Sequence, residues 1–213
     1  MNDASVFVPP YFDPVALRVE LTAIFRAAGE SAVAARPPVL ERLKALLRDA
    51  RNFARLALEA DGKGRRCAEG LSEFQDELVR LLYDYTTTHV YRTDNPDDAE
   101  RMAIIATGGY GRGLMAPGSD IDLLFLLPYK QTAWGESVVE CMLMLMWDLG
   151  QKVGHAVRTV DQTIRFAQAD MTIRTSLLDT RLILGDRALN QEFERRFASE
   201  VVRGTAKEFF EAK

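Results

Sequence analysis

Two carboxylates, Asp120 and Asp122, follow a glycine-rich turn, Gly108-Gly109-Tyr110-Gly111-Arg112-Gly113. Ser119 directly precedes them, and the apolar run Leu123-Leu124-Phe125-Leu126 follows. On an extended strand, residues i and i+2 point to one face, so both acids are expected to project together. Ala103-Ile104-Ile105-Ala106 ahead of the turn reads as a buried strand. The glycines let backbone N–H groups come close to a polyphosphate. Two like charges side by side at the mouth of an apolar strand call for a compensating cation. Carboxylate oxygens are hard ligands that suit Mg2+ or Mn2+, with nucleotide phosphates completing the shell. The chemistry outlined is metal-assisted phosphoryl transfer. Gly108, Gly109 and Ser119 are candidates for holding phosphates, although the Ser119 hydroxyl would equally cap its own turn. Arg112 either neutralises phosphate charge or pairs with a surface acid.

Other glycine motifs fit less well. A dinucleotide site wants one acid about twenty residues on, at the end of a second parallel strand. Here the acids come sooner and as a pair. A P-loop wants Gly-Lys-Ser/Thr after its glycines, and none follows. The polar Thr93-Asp94-Asn95-Pro96-Asp97-Asp98 lacks the glycine and closing glutamate of a calcium loop, so it reads as a solvated turn.

The elements that must position these residues are legible from periodicity. Strands are expected over residues 102–107, 120–127 and 153–159, with a short edge strand at 181–184. The segment 108–119 should be a turn with a short helix. Helices are expected over 133–149, packed against the sheet, and over 161–169, 171–178 and 187–202, with another starting at 205. Three helices should precede the sheet. The first follows Asp13 as N-cap and Pro14 as first helical residue, and runs to about Ala35. Pro37-Pro38 should break it, and a second helix should then reach about Ala60. The third, after the turn Asp61-Gly62-Lys63-Gly64, should reach about Tyr91. Residues 1–14 read as an extended lead-in. Domains are accordingly expected at 1–92 (helical), 93–202 (the sheet and its chemistry) and 203–213 (the start of a further helix).

Composition narrows the function class. Of 213 residues, 47% are hydrophobic, enough for a sizeable core. The net charge of −4 argues against a broad nucleic-acid surface. The apolar run Cys141–Trp147 is about a third of the roughly 20 residues that span a bilayer, so no membrane partner is expected. No basic-then-apolar leader opens the chain, so a cytoplasmic location is expected. Cys67 and Cys141 lack metal spacing and read as reduced structural thiols.

The residues from Thr107 to Leu127 resemble the nucleotidyltransferase superfamily with its Gly-Ser and Asp-x-Asp signature. The likeness narrows with Pro117-x-Ser119-Asp120-Ile121-Asp122-Leu123-Leu124, Trp147-Asp148-Leu149-Gly150 and Val153-Gly154-His155-Ala156-Val157-Arg158-Thr159. Asp170-Met171-Thr172, Leu177-Leu178-Asp179-x-Arg181 and Gly185-Asp186 continue it. Together they are similar to the bacterial uridylyltransferases of the signal protein PII, closely over residues 100–213 and loosely over the N-terminal helices. The resemblance implies an α/β (α+β) fold of the DNA polymerase β type, a small mixed sheet flanked by helices, preceded here by a helical segment. It implies transfer of UMP from UTP to a tyrosine of PII, with release of pyrophosphate. Asp120 and Asp122 would hold the metal; Gly108, Gly109, Arg112 and Ser119 would bind nucleotide.

Such enzymes also remove UMP through an HD-type hydrolase domain and sense glutamine through ACT domains. Only His89 and His155 occur, neither in a His-Asp pair, so the chain is expected to be the transferase portion of a longer enzyme. Many superfamily members carry a third acid on the next strand, where this chain has Gly154-His155-Ala156-Val157-Arg158. His155 is open as ligand, base or packed histidine, Arg158 is a further candidate, and Asp148, Asp170 and Asp179 are alternatives for the third acid. Asp179, nearest a sheet edge, is the one to test first. A protein adenylyltransferase of the glutamine synthetase type, or a nucleotide-binding regulatory domain without turnover, are the competing functions.

Overall fold

The computed structural model describes residues 12–92, 101–129 and 131–203. The expected lead-in over residues 1–11, the loop at Thr93–Asp98 and the helix after Thr205 lie outside them. The chain divides into two compact units. One comprises Met1–Asp94, Gly113–Asp120 and Ser137–Val153; the other comprises Asn95–Arg112, Ile121–Glu136 and Gly154–Lys213.

The first unit is helical. Helix α1 (Pro14–Ala27) starts where Asp13 accepts hydrogen bonds from Val15 and Ala16 N–H, a cap that stabilises a helix by about 1 kcal/mol. It buries Leu17, Leu21 and Phe25 at a spacing of four. The chain then reverses at Gly29, and the N–H groups of Gly29 and Glu30 return to the carbonyls of Arg26 and Phe25. This ends the helix eight residues before the expected Ala35. Ser31 caps the next helix, α2 (Ala32–Asp61), which runs unbroken through Pro37 and Pro38. The expected break is therefore absent. Each proline forfeits a helical hydrogen bond, a loss of about 3 kcal/mol in an interior position. The pair is tolerated one turn in, between Ala35 and Val39, both fully buried. Helix α3 (Gly64–Tyr85) buries Phe74, Leu78, Leu81, Leu82 and Tyr85, then loosens into a π-helical turn, Thr86–Val90.

Helix α5 (Ala133–Asp148) was expected on the sheet. Its stretch Ser137–Asp148 groups with the helical unit. There Cys141 Sγ accepts from Thr86 at 3.8 Å, and Asp148 accepts from Arg36 at 2.7 Å. Cys67 and Cys141 are free and buried, and burial pushes both thiols up from their ordinary pKa.

The second unit is a mixed four-stranded sheet in the order β3-β2-β1-β4, with helices against it. Strand β1 (Ala103–Thr107) is central; its Ala103–Ala106 stretch has no exposed surface. It pairs antiparallel with β2 (Ile121–Leu127), Ala106 opposite Leu123, and with β4 (Thr180–Gly185), Thr107 opposite Thr180. Strand β3 (Val153–Thr159) lies outside β2. The one-turn helix α4 (Gly108–Gly111) follows β1 directly.

One face of the sheet, through Ala103, Ile105, Leu124 and Leu126, packs on Ile164 and Ala167 of α6 (Val160–Ala169) and on Leu189 and Phe193 of α8 (Arg187–Arg196). A capping box between Thr159 and Gln162 starts α6. Buried Arg174 on α7 (Met171–Ser176) donates to the carbonyls of Ala167 and Gln168, satisfying the end of α6. Asp186 caps α8, which passes into a second π-helical turn at Phe197–Val202.

Candidate active site

The glycine turn is built at the end of the central strand. Gly108 takes φ +57°, a left-handed conformation that turns the chain out of β1 into α4. Asp122 is the second residue of β2 and half-buried. Because Ala106 pairs with Leu123, the next step along the ladder carries Asp122 to the level of Thr107 and the glycine turn. A Cβ built on Gly108 would stand 3.5 Å from Asp122 Oδ2. On the other side lies Gly154 of β3, where an added Cβ would collide with Asp122 Oδ1. The carboxylate thus occupies a slot between two residues that have no side chain.

The β1–β4 register supplies the second part. Thr107 opposite Thr180 brings the residue before β4, Asp179, against the residues after β1. The Asp179 carbonyl sits where a Cβ on Gly111 would be. Arg112 Nη1 donates to Asp179 Oδ2 at 2.9 Å, and Arg112 Nη2 would be 3.6 Å from a Cβ on Gly109. Arg181 reinforces the same corner. Its guanidinium lies 5.5 Å from the ring centre of buried Tyr110, and its Nη2 donates to the Tyr110 carbonyl at 3.4 Å.

The remaining candidates divide. Ser119 closes its own turn: its hydroxyl accepts from Ala116 N–H, and its N–H donates to the Ala116 carbonyl, both at 3.0 Å. Asp120 is exposed and directly precedes β2. Both belong to the segment Gly113–Asp120, grouped with the helical unit. His155 is exposed on β3, while Arg158 lies 4.6 Å over the ring of Phe166. Two of the alternative acids hold the fold together: Asp148 pairs with Arg36, and Asp170 caps α7 through the N–H groups of Thr172 and Ile173. Among the described residues, no group of three or more His, Cys, Asp and Glu is arranged to hold a metal ion. No described helix is long and apolar enough to cross a membrane.

Sequence reasoning missed Gly154 as the neighbour of Asp122 and the Arg112–Asp179 pair as a unit. A glycine in a strand signals close approach of another group, which was the available hint for the first.

Comparisons with known proteins bear on the family of the chain. The family described as nucleotidyltransferase domain matches residues 92–177. A Bradyrhizobium sp. (strain ORS 278) protein named bifunctional uridylyltransferase/uridylyl-removing enzyme is 52% identical over 212 residues, covering 100% of this chain and 23% of the relative. The protein of the same name from Bradyrhizobium diazoefficiens is 58% identical over 178 residues, 84% of this chain and 19% of its own length. That of Rhodopseudomonas palustris is 52% identical over 202 residues, 95% and 22%. The chain spans about a fifth of the length of these relatives. It belongs to the bifunctional uridylyltransferase/uridylyl-removing enzyme family, of which it represents the nucleotidyltransferase portion.

Proposed function

We propose that this chain transfers UMP from UTP to a tyrosine of the signal protein PII in the cytoplasm, releasing pyrophosphate, with Mg2+ or Mn2+ as cofactor. The carrying observation is the Asp122 carboxylate seated between Gly108 and Gly154 at the end of the glycine turn. The donors fit such an ion. Asp122 offers hard oxygens in a fixed slot, exposed Asp120 stands two residues ahead, and phosphates and water complete the shell in sites of this type. When bound, the metal would offset charge on the triphosphate and the leaving pyrophosphate. Asp120 and Asp122 would hold it. Gly108 and Gly109, lacking side chains, would let the β- and γ-phosphates approach the backbone, and Arg112 would face them with its positive charge. The tyrosine oxygen attacks the α-phosphorus in line, the bond from that phosphorus to the bridging oxygen breaks, and the phenolic proton is lost to solvent. The protein's share is mainly positioning and electrostatic stabilisation.

A second reading, nucleotide binding without turnover, is favoured by the lack of a three-acid group among the described residues. Radiolabelled UMP transfer from UTP to purified PII, with Mg2+ or Mn2+ and an ATP control, separates the readings. Label from UTP alone supports uridylyl transfer. Label from ATP points to an adenylyltransferase, and nucleotide binding with no label from either points to a binding module.

A further inference from the structure

Asp179 sits at the site as an acid, and a third metal ligand is the obvious role for it. The geometry points to another. We infer that Asp179 is a positioning residue: it holds the Arg112 guanidinium over the glycine turn so that one face of that arginine meets the nucleotide's polyphosphate. The inference rests on the nucleotidyltransferase reading above and adds a role at the same site.

Three observations carry it. Asp179 Oδ2 is engaged, accepting from Arg112 Nη1 at 2.9 Å. The other terminal nitrogen, Nη2, is left beside Gly109, 3.6 Å from where a side chain would begin. The guanidinium is a planar fork, so fixing one nitrogen fixes the direction of the other. Finally, the Asp179 backbone is itself locked. Thr180 is in register with Thr107, and the Asp179 carbonyl fills the space at Gly111 that any larger residue would need. The acid is therefore anchored through its main chain, and its side chain orients the arginine. Arg112 remains half-exposed in this pair, with 56% of its side-chain surface open, so a polyphosphate has access to it.

A pair this exposed adds little to stability, because solvent screens it. Its effect should appear in nucleotide binding. The test is a double-mutant cycle on UTP affinity, measured by calorimetry in EDTA, then on UMP transfer with Mg2+. Arg112→Ala, Asp179→Ala and the double variant are compared with wild type. The expected result is UTP affinity about 10-fold weaker in each single variant, and a double variant no weaker than Arg112→Ala alone, since Asp179 acts only through Arg112. In transfer, Asp179→Ala should raise KM for UTP by a similar factor and leave kcat within about 3-fold. Asp179→Glu, which keeps the charge, should recover part of the affinity. Wild-type UTP affinity in Asp179→Ala overturns the inference. So does a collapse of kcat with a changed metal requirement, the signature of a lost metal ligand. A wild-type chain that neither binds UTP nor transfers UMP overturns the nucleotidyltransferase reading, and the inference falls with it.

Discussion

Replacing Gly154 with alanine adds one methyl group to the wall of the slot that holds Asp122, and it should separate function from stability. Gly154 lies in β3 with an ordinary strand conformation that alanine adopts without strain. Alanine also restricts the unfolded chain, which stabilises a protein by about 0.4–1 kcal/mol at a compatible site. The new methyl would fall on Asp122 Oδ1, far inside the 3.4 Å at which ordinary contact begins. The carboxylate is the movable end of a side chain, so it retreats by about 1 Å, a misplacement that lowers rate by about 100-fold, or 2.7 kcal/mol of transition-state stabilisation. Initial rates of UMP transfer should fall by that factor while the melting temperature holds or rises by a few degrees, at roughly 2–4 °C per kcal/mol.

Gly111→Ala is the matched control. There the added methyl meets the Asp179 carbonyl, main chain that cannot rotate away. Such overpacking costs about 1–3 kcal/mol, so this variant should melt roughly 2–12 °C lower. If Gly154→Ala keeps wild-type turnover with its fold intact, the seat of Asp122 is not what Gly154 protects, and the reasoning fails.

Asp122→Asn preserves shape and removes the charge. Transfer should drop by at least about 100-fold with the melting curve unchanged, and wild-type turnover would strip Asp122 of its metal role. His89 supplies a pH test in the helical unit. Thr22 gives its hydroxyl proton to the Arg18 carbonyl, so its oxygen is free to accept from His89 Nε2, 3.0 Å away. Burial, then Arg92 and Arg26, lower its pKa from 6.5, with Glu30 opposing. Because the folded pKa lies below the unfolded one, the unfolded chain binds the extra proton first. The stabilisation is full above pH 6.5 and is lost as pH falls through the lower folded value. Urea midpoints from pH 7.5 to 5 should decline below about 6.5, and His89→Gln should flatten the decline. An unchanged slope in the variant would assign the decline to other groups.

The parts legible in the sequence were those governed by local rules. The strands around the glycine turn fell within a residue or two of expectation, because each is a short apolar run bounded by turn residues. The Asp13–Pro14 helix start held, since both residues act on the next turn. The Pro37–Pro38 break failed because burial of Ala35, Val39 and Leu43 outweighs two missing hydrogen bonds, and burial is a tertiary fact. Ser31 and Gly29 were the local signals that place the true break. Arg112 and Asp179, 67 residues apart, meet only because β1 and β4 pair in one particular register. Nothing near either residue announces that register.

Gly154 gives the missing third acid a physical account. The stretch Gly154–Arg158 on β3 offers no carboxylate, and the residue of it that faces Asp122 is a glycine. The structure gives that glycine a reason: the Asp122 carboxylate already fills the space in which a side chain at residue 154 would begin. An aspartate there would have to push Asp122 aside and would set two negative charges in contact, each raising the proton affinity of the other. A site in this chain therefore cannot gain a third ligand at residue 154 without losing the geometry of the second. Gly154→Asp should accordingly lower transfer at least as far as Gly154→Ala. If transfer instead rises above that of Gly154→Ala, the added carboxylate is serving as a ligand, and the slot is wider than the Gly108–Asp122–Gly154 geometry allows.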